Sequence, residues 1–223
     1  MIRHLRRTLT AGLLLVAAAG CGSDPGTGPT ATGRVRFVHA VEGFPTLQLD
    51  LAATTAGASL AFGTASDYFT VNQGAYTFRI TAPSGSVSFG TPIAGNLDQT
   101  IVAYGDQVGV GANITNDDPP PPAAGQIKIR VLHGIRSLGA LDVHVVAPGA
   151  AVDPNAPVFA NLPYTNLTAY SERPAGTYQI VVTLPAAATE LLRTAPQDLP
   201  AGAVRTVVLA GNATQVTAIT LVD

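Results

Sequence analysis

Histidine is the side chain best suited to proton transfer or metal binding near neutral pH, and this chain of 223 residues has four. Two of them, His39 and His133, stand in near copies of one motif, Arg34-Val35-Arg36-Phe37-Val38-His39-Ala40 and Lys128-Ile129-Arg130-Val131-Leu132-His133-Gly134. Alternation along a strand puts each ring on the face that carries Val35 and Phe37, or Ile129 and Val131. Each imidazole is therefore expected at the edge of a core, bonded to backbone or a hydroxyl. Asp142 and His144 lie two apart and share a strand face, as metal ligands can. No third ligand accompanies them, and their counterparts in the first copy are Gln48 and Asp50. The expectation is that Arg130 pairs with Asp142 across a sheet and Arg36 with Asp50 at the surface.

Other motifs that announce chemistry are missing or incomplete. No Gly-x-Ser-x-Gly elbow occurs, and the glycines of residues 105–111 fit neither a dinucleotide loop nor a Walker loop, so they are expected in a hairpin. Asp117-Asp118 begins like a calcium loop, but prolines replace the remaining ligands. The sequons at Asn113, Asn166 and Asn212 read as chance in a Thr-rich strand protein. Tyr68, Tyr76, Tyr164, Tyr170 and Tyr178 would serve as a sugar platform only if they gathered in one groove. With no Trp in the chain that signal is weak, and Tyr76 and Tyr178 are expected in cores. No catalytic residue, metal ligand or cofactor is expected.

Cys21 is the single cysteine. Arg3, His4, Arg6 and Arg7 precede an apolar run over residues 9–19 that is too short to span a bilayer, and Ala18-Ala19-Gly20 leads into Cys21. The segment resembles the lipobox of bacterial lipoproteins, with Ala18 standing where Leu is commoner. The resemblance implies a signal peptide over residues 1–20 and acylation of Cys21, with palmitate-type chains holding the protein to a membrane. Residues 21–33, small, polar and rich in Gly and Pro, read as a flexible tether. Gly22 rather than Asp follows the cysteine, which favours the outer membrane or cell surface.

Without Arg3, Arg6 and Arg7 the remaining 9 basic residues face 14 acidic ones, so the mature part is acidic and nucleic acid is not an expected partner. Charged residues are only 12% of the chain against 47% apolar, a balance that suits many short strands joined by Gly and Pro turns. One cysteine permits no disulfide within the chain, so burial alone must stabilise the fold.

The elements that would position these residues are duplicated. His39 and His133 are 94 apart, as are Leu47-Gln48-Leu49-Asp50-Leu51 and Leu141-Asp142-Val143-His144-Val145. The Gly-x-Tyr at 74–76 returns at 176–178, and residues 100–105 return at 206–211. Extra residues in the second copy fall around 148–157, an expected surface loop. Asn116 and Asp117-Asp118 lead into four prolines that cannot continue a sheet. The chain thus divides into a first repeat over 34–116, a Pro-rich linker over 117–125 acting as a stiff spacer, and a second repeat over 126–223. Seven or eight short strands per repeat imply an all-β protein of two tandem antiparallel β-sandwiches, immunoglobulin-like or transthyretin-like. Each half is expected to fold alone.

The paired openings at 34–40 and 128–134, the Leu-rich strand after each, and the Gly-x-Tyr pairs are similar to a family of bacterial envelope domains of unknown function, often in tandem behind export signals. The chain departs from it at Val41-Glu42-Gly43 and Ile135-Arg136-Ser137, where the family commonly shows Ser-Pro-Asp/Asn and then Ala. The resemblance implies an extracytoplasmic β domain and supplies no catalytic residues. The expected function is a non-enzymatic, lipid-anchored envelope protein that binds, adheres or scaffolds, its partner an envelope protein or a glycan. A carbohydrate- or polymer-binding module is the alternative, and a metal-dependent enzyme a more distant one.

Overall fold

Alternating Val, Ile, Leu and Thr, cut by Gly, Pro and Asn turns, builds seventeen strands and no helix among residues 30–223, the part of the chain that the computed structural model describes. In the first lobe β1 (Thr32–Val41), β4 (Phe69–Asn72), β7 (Asp98–Gly105) and β8 (Val110–Asn116) make a sheet in the order β4-β1-β7-β8. Facing it, β2 (Thr46–Leu51), β3 (Gly57–Ala61), β5 (Gly74–Ala82) and β6 (Gly85–Ile93) are ordered β3-β2-β5-β6. Every pairing is antiparallel except β1 with β7, which run parallel with Val38 opposite Val102. The long crossover that a parallel pair requires carries the whole of the second sheet together with β4.

The second lobe repeats this plan. Its sheets run β12 (Ser171–Pro174), β9 (Gln126–His133), β16 (Val204–Gly211), β17 (Val216–Val222), and β11 (Phe159–Leu162), β10 (Leu141–Val146), β13 (Gly176–Thr183), β14 (Glu190–Arg193). Here β9 and β16 are the parallel pair. The strand corresponding to β6 is broken in two, and β15 (Gln197–Leu199) also pairs with β13. An immunoglobulin sandwich keeps its first two strands in one sheet. In this chain β1 and β2 lie in opposite sheets, as do β9 and β10, so of the two expected topologies the transthyretin-like one is present.

Each lobe has its own core. Phe37 stacks on Phe78 with ring centroids 5.5 Å apart, among Val35, Leu47, Leu49 and Ile80. In the second lobe Ile129, Val131, Val143, Val182 and Leu209 take the equivalent place. A third core lies between the lobes, where Val38, Val102 and Tyr104 meet Leu132, Val208 and Ile219. Both β1 and β9 are consequently buried on two faces. A period of two says which residues share a face, and it does not say that the face with Arg36 and Val38 is open to solvent. The expected spacer does not hold the lobes apart. Lys128 donates to the carbonyl of Pro120 at 2.7 Å, and Ala31–Asp223 is one compact unit. Proline stiffens the connection but has no authority over the apolar faces on either side, each of whose Val or Leu side chains gains about 1.5–3 kcal/mol on burial.

Candidate functional site

Both histidines of the repeated motif are structural latches. His39 is fully buried, its Nε2–H donating to the carbonyl of Phe44 at 2.9 Å while Nδ1 accepts from the amide of Val41 at 3.2 Å. His133 does the same with Gly139 O at 2.8 Å and Ile135 N at 3.2 Å. The two contacts require the neutral tautomer with the proton on Nε2, and burial pushes both pKa values below the ordinary 6.5. Each ring thus ties the loop after its strand back onto the sheet.

The arginines of the same motif form the centre of the lobe interface. Arg36 Nε donates to Thr100 Oγ1 at 2.6 Å, and Arg130 Nε to Thr206 Oγ1 at 2.7 Å. The terminal nitrogens then cross between lobes: Arg36 reaches Asp223 at 2.5 Å and the carbonyl of Val222 at 2.7 Å, while Arg130 reaches Asp117 at 3.1 Å and the carbonyl of Asn116 at 3.0 Å. Thr100 donates to Asp117 and Thr206 to Asp223, and the hydroxyls of Tyr68 and Tyr170 add a further bond to the same two carboxylates. The arginines lie over those tyrosine rings, at 4.8 Å and 4.4 Å from the centroids. Such reciprocity, with residue i of one copy on residue j of the other and the reverse, is how two similar surfaces pack on each other. Burial raises the pKa of both phenols, which remain hydrogen-bond donors.

Two expected pairings are therefore corrected. Arg36 does not meet Asp50, which is held at the surface by Arg79 at 2.8 Å, and Arg130 does not meet Asp142. Both arginines belong to the sheet that faces the other lobe, whereas Asp50 and Asp142 belong to the outer sheets. Asp142 accepts from the amides of Asn161 at 2.7 Å and Ala186 at 3.1 Å, and His144 lies 3.4 Å from Thr183 Oγ1. Among the described residues no three His, Cys, Asp or Glu side chains gather as metal ligands do. The tyrosines are dispersed: Tyr76 and Tyr178 cap the turns before them by donating to Asn72 O and Pro174 O, Tyr68 and Tyr170 serve the carboxylates, and Tyr164 packs against Tyr104. Asp118 accepts from the amide of Asp98 at 2.6 Å. Cys21 lies outside the described residues.

One feature of the fold is a cleft of about 630 Å³ at the lobe junction. Phe44, Phe62 and Glu42 line it from the first lobe, and Asn212, Gln215 and Thr217 from the β16–β17 hairpin of the second. Asn212 Nδ2 donates to Glu42 Oε1 at 3.2 Å, while its Oδ1 accepts from the amides of Thr214 and Gln215 and so fixes the hairpin. Sequence reasoning missed this place because its walls come from three distant loops. The one available signal is a mismatch inside the repeated strand, where Tyr104 of the first copy corresponds to Ala210 of the second.

The family comparison agrees with a tandem arrangement. The family described as Domain of unknown function (DUF4397) matches residues 33–144 and 145–223. The chain belongs to this family. The two matched segments meet inside β10, whereas strand pairing divides the DUF4397 protein between β8 and β9. No curated protein matches its sequence. Among solved structures, a leucine-rich repeat protein from Bacteroides thetaiotaomicron VPI-5482 aligns with 82% of this chain and 26% of its own, at 13% identity and a TM-score of 0.22. This DUF4397 chain therefore spans about a quarter of that protein, and the likeness is too slight to carry an argument.

Proposed function

We propose that this DUF4397 protein is a non-enzymatic, lipid-anchored module of the cell envelope, in which a rigid two-lobed body binds, adheres or scaffolds. The observation that supports the reading best is the use made of its polar core. His39 and His133 secure loops, and Arg36, Asp117, Arg130 and Asp223 join the lobes, so the residue types most apt for catalysis are spent on holding one shape. Rigid scaffolds of this kind suit recognition through loops and junctions. The anchor rests on the leader and Cys21, and Gly22 favours the outer membrane or surface.

Fractionation of cells expressing Cys21→Ala tests the anchor: the variant is expected in the soluble envelope fraction, and an unchanged detergent-phase partition would refute acylation. Co-purification from native membranes tests the binding role, with a stoichiometric envelope protein or glycan as the expected result. Turnover of a substrate by the purified chain, lost on substitution of a residue in the lobe junction, would overturn the non-enzymatic reading.

A further inference from the structure

The lobe junction has two ends, and the repeat makes them comparable. At one end Tyr104 of the first lobe packs edge-on against Tyr164 of the second, with centroids 5.9 Å apart. Gly111 and Gly134 leave room for that ring, because a Cβ on either would stand 2.8 Å or 3.1 Å from Tyr104 side-chain atoms. Arg136 lies over Gly109 and faces Asp106 at 3.6 Å, so this end is filled by an aromatic ring and a cation balanced by a carboxylate. At the other end the equivalent residues are Ala210 for Tyr104, Phe62 for Tyr164, Glu42 for Arg136 and Asn212 for Asp106. Here the ring is absent, the cation has become an anion, and its hairpin partner is a neutral amide. The result is the 630 Å³ cleft, with Phe62 and Phe44 half-buried in its wall and a Glu42 carboxylate that makes no ion pair among the described residues.

We infer that the cleft formed by Phe44, Phe62, Glu42, Asn212 and Gln215 binds a small cationic ligand with a flat apolar body, an arylalkylamine, its charge on Glu42 and its ring beside Phe62. The ligand supplies from outside the two groups that Tyr104 and Arg136 supply at the filled end. Among the described residues Glu42 is the one charged side chain that lines the cleft, so the site favours a cation over an anion. A cation near a carboxylate and two aromatic rings gains from both, and more so where water is partly displaced. This inference rests on the binding role proposed above and names the chemistry of one ligand site.

The test is calorimetric titration of the full chain in non-ionic detergent with tyramine as probe, alongside 4-ethylphenol, which lacks the ammonium, and methyl glucoside. Saturable tyramine binding in the millimolar range is expected, weakened about tenfold or more by Glu42→Gln and to a similar degree by removal of the ammonium. The triple change Ala40→Gly, Thr217→Gly and Ala210→Tyr, which brings the ring of the filled end and the two glycines that make room for it to the open end, should abolish binding; Glu42→Gln, at a half-buried site, tests the same point without touching the core. No heat with tyramine, equal binding by Glu42→Gln, or tighter binding of methyl glucoside would each overturn the assignment. Such a failure leaves the membrane anchor untouched, because that is read from Cys21→Ala.

Discussion

Neutral, fully buried imidazoles make stability depend on pH in a definite direction. His39 and His133 have folded-state pKa values below the ordinary 6.5, so in mild acid the unfolded chain binds more protons than the folded one. Their contribution is complete above about pH 7 and is lost as pH falls from about 6.5 through the lowered folded values. Thermal melts are expected to show a plateau above neutrality and a decline below it, and the decline should be shallower in His39→Gln. At pH 8 His39→Ala should cost about 2–4 kcal/mol, because it leaves the Val41 amide and the Phe44 carbonyl without partners. A denaturant midpoint equal to that of the native chain would show that the latch carries no load.

At the scale of elements, the two copies of one loop solve the same conformational problem with different residues. Gly63 has φ +80° and Thr165 φ +75°, and their amides donate to the carbonyls of His39 and His133 at 2.9 Å and 2.8 Å. A β-branched residue in that region is strained by about 1–3 kcal/mol, of which glycine would relieve the greater part at an entropic cost of about 0.5–1 kcal/mol. Thr165→Gly is thus expected to raise the melting temperature, whereas Gly63→Thr should lower it; a fall in both would mean that the Thr165 side chain makes a compensating contact. The β16–β17 hairpin is less forgiving. At Gly211, with φ +103°, a Cβ would run into the Gln215 carbonyl, so Gly211→Ala should destabilise the second lobe and the mouth of the cleft together.

Across the whole molecule the charge cluster decides cooperativity. Asp117 and Asp223 each satisfy an arginine of the opposite lobe, with side chains almost fully buried. Removing one such partner leaves two buried guanidiniums sharing one carboxylate, at a cost of about 3–5 kcal/mol. Asp223→Ala is accordingly expected to destabilise both lobes, and the intact chain should melt in one transition reported equally by probes in either lobe. Separate transitions would show that the interface couples them weakly. Halves cut within residues 119–122 would expose Val38, Val102, Leu132 and Val208, so they are expected to re-associate or aggregate, contrary to independent folding.

Much of this was legible in the residues themselves. Alternation of Val35 and Phe37, or of the leucines of β2, identifies strands because the side-chain period of an extended chain is fixed by its backbone, and recurrence of the motif 94 residues later announces a second copy. The role of His39 and His133 was readable for the same reason, since their face is set by the strand. What period two leaves open is the fate of the opposite face. Arg36 and Val38 look equally at home in water or against a second sheet, and only the packing of β1 and β7 on β9 and β16 buries them and sends each arginine to the far lobe's carboxylate. The cleft belongs to tertiary structure, because it is a space between loops distant in the chain, with Phe44 and Phe62 on one side and Asn212 and Gln215 on the other. Local sequence dictates strands and turns through backbone sterics and periodicity; the pairing of faces depends on which surfaces meet in three dimensions.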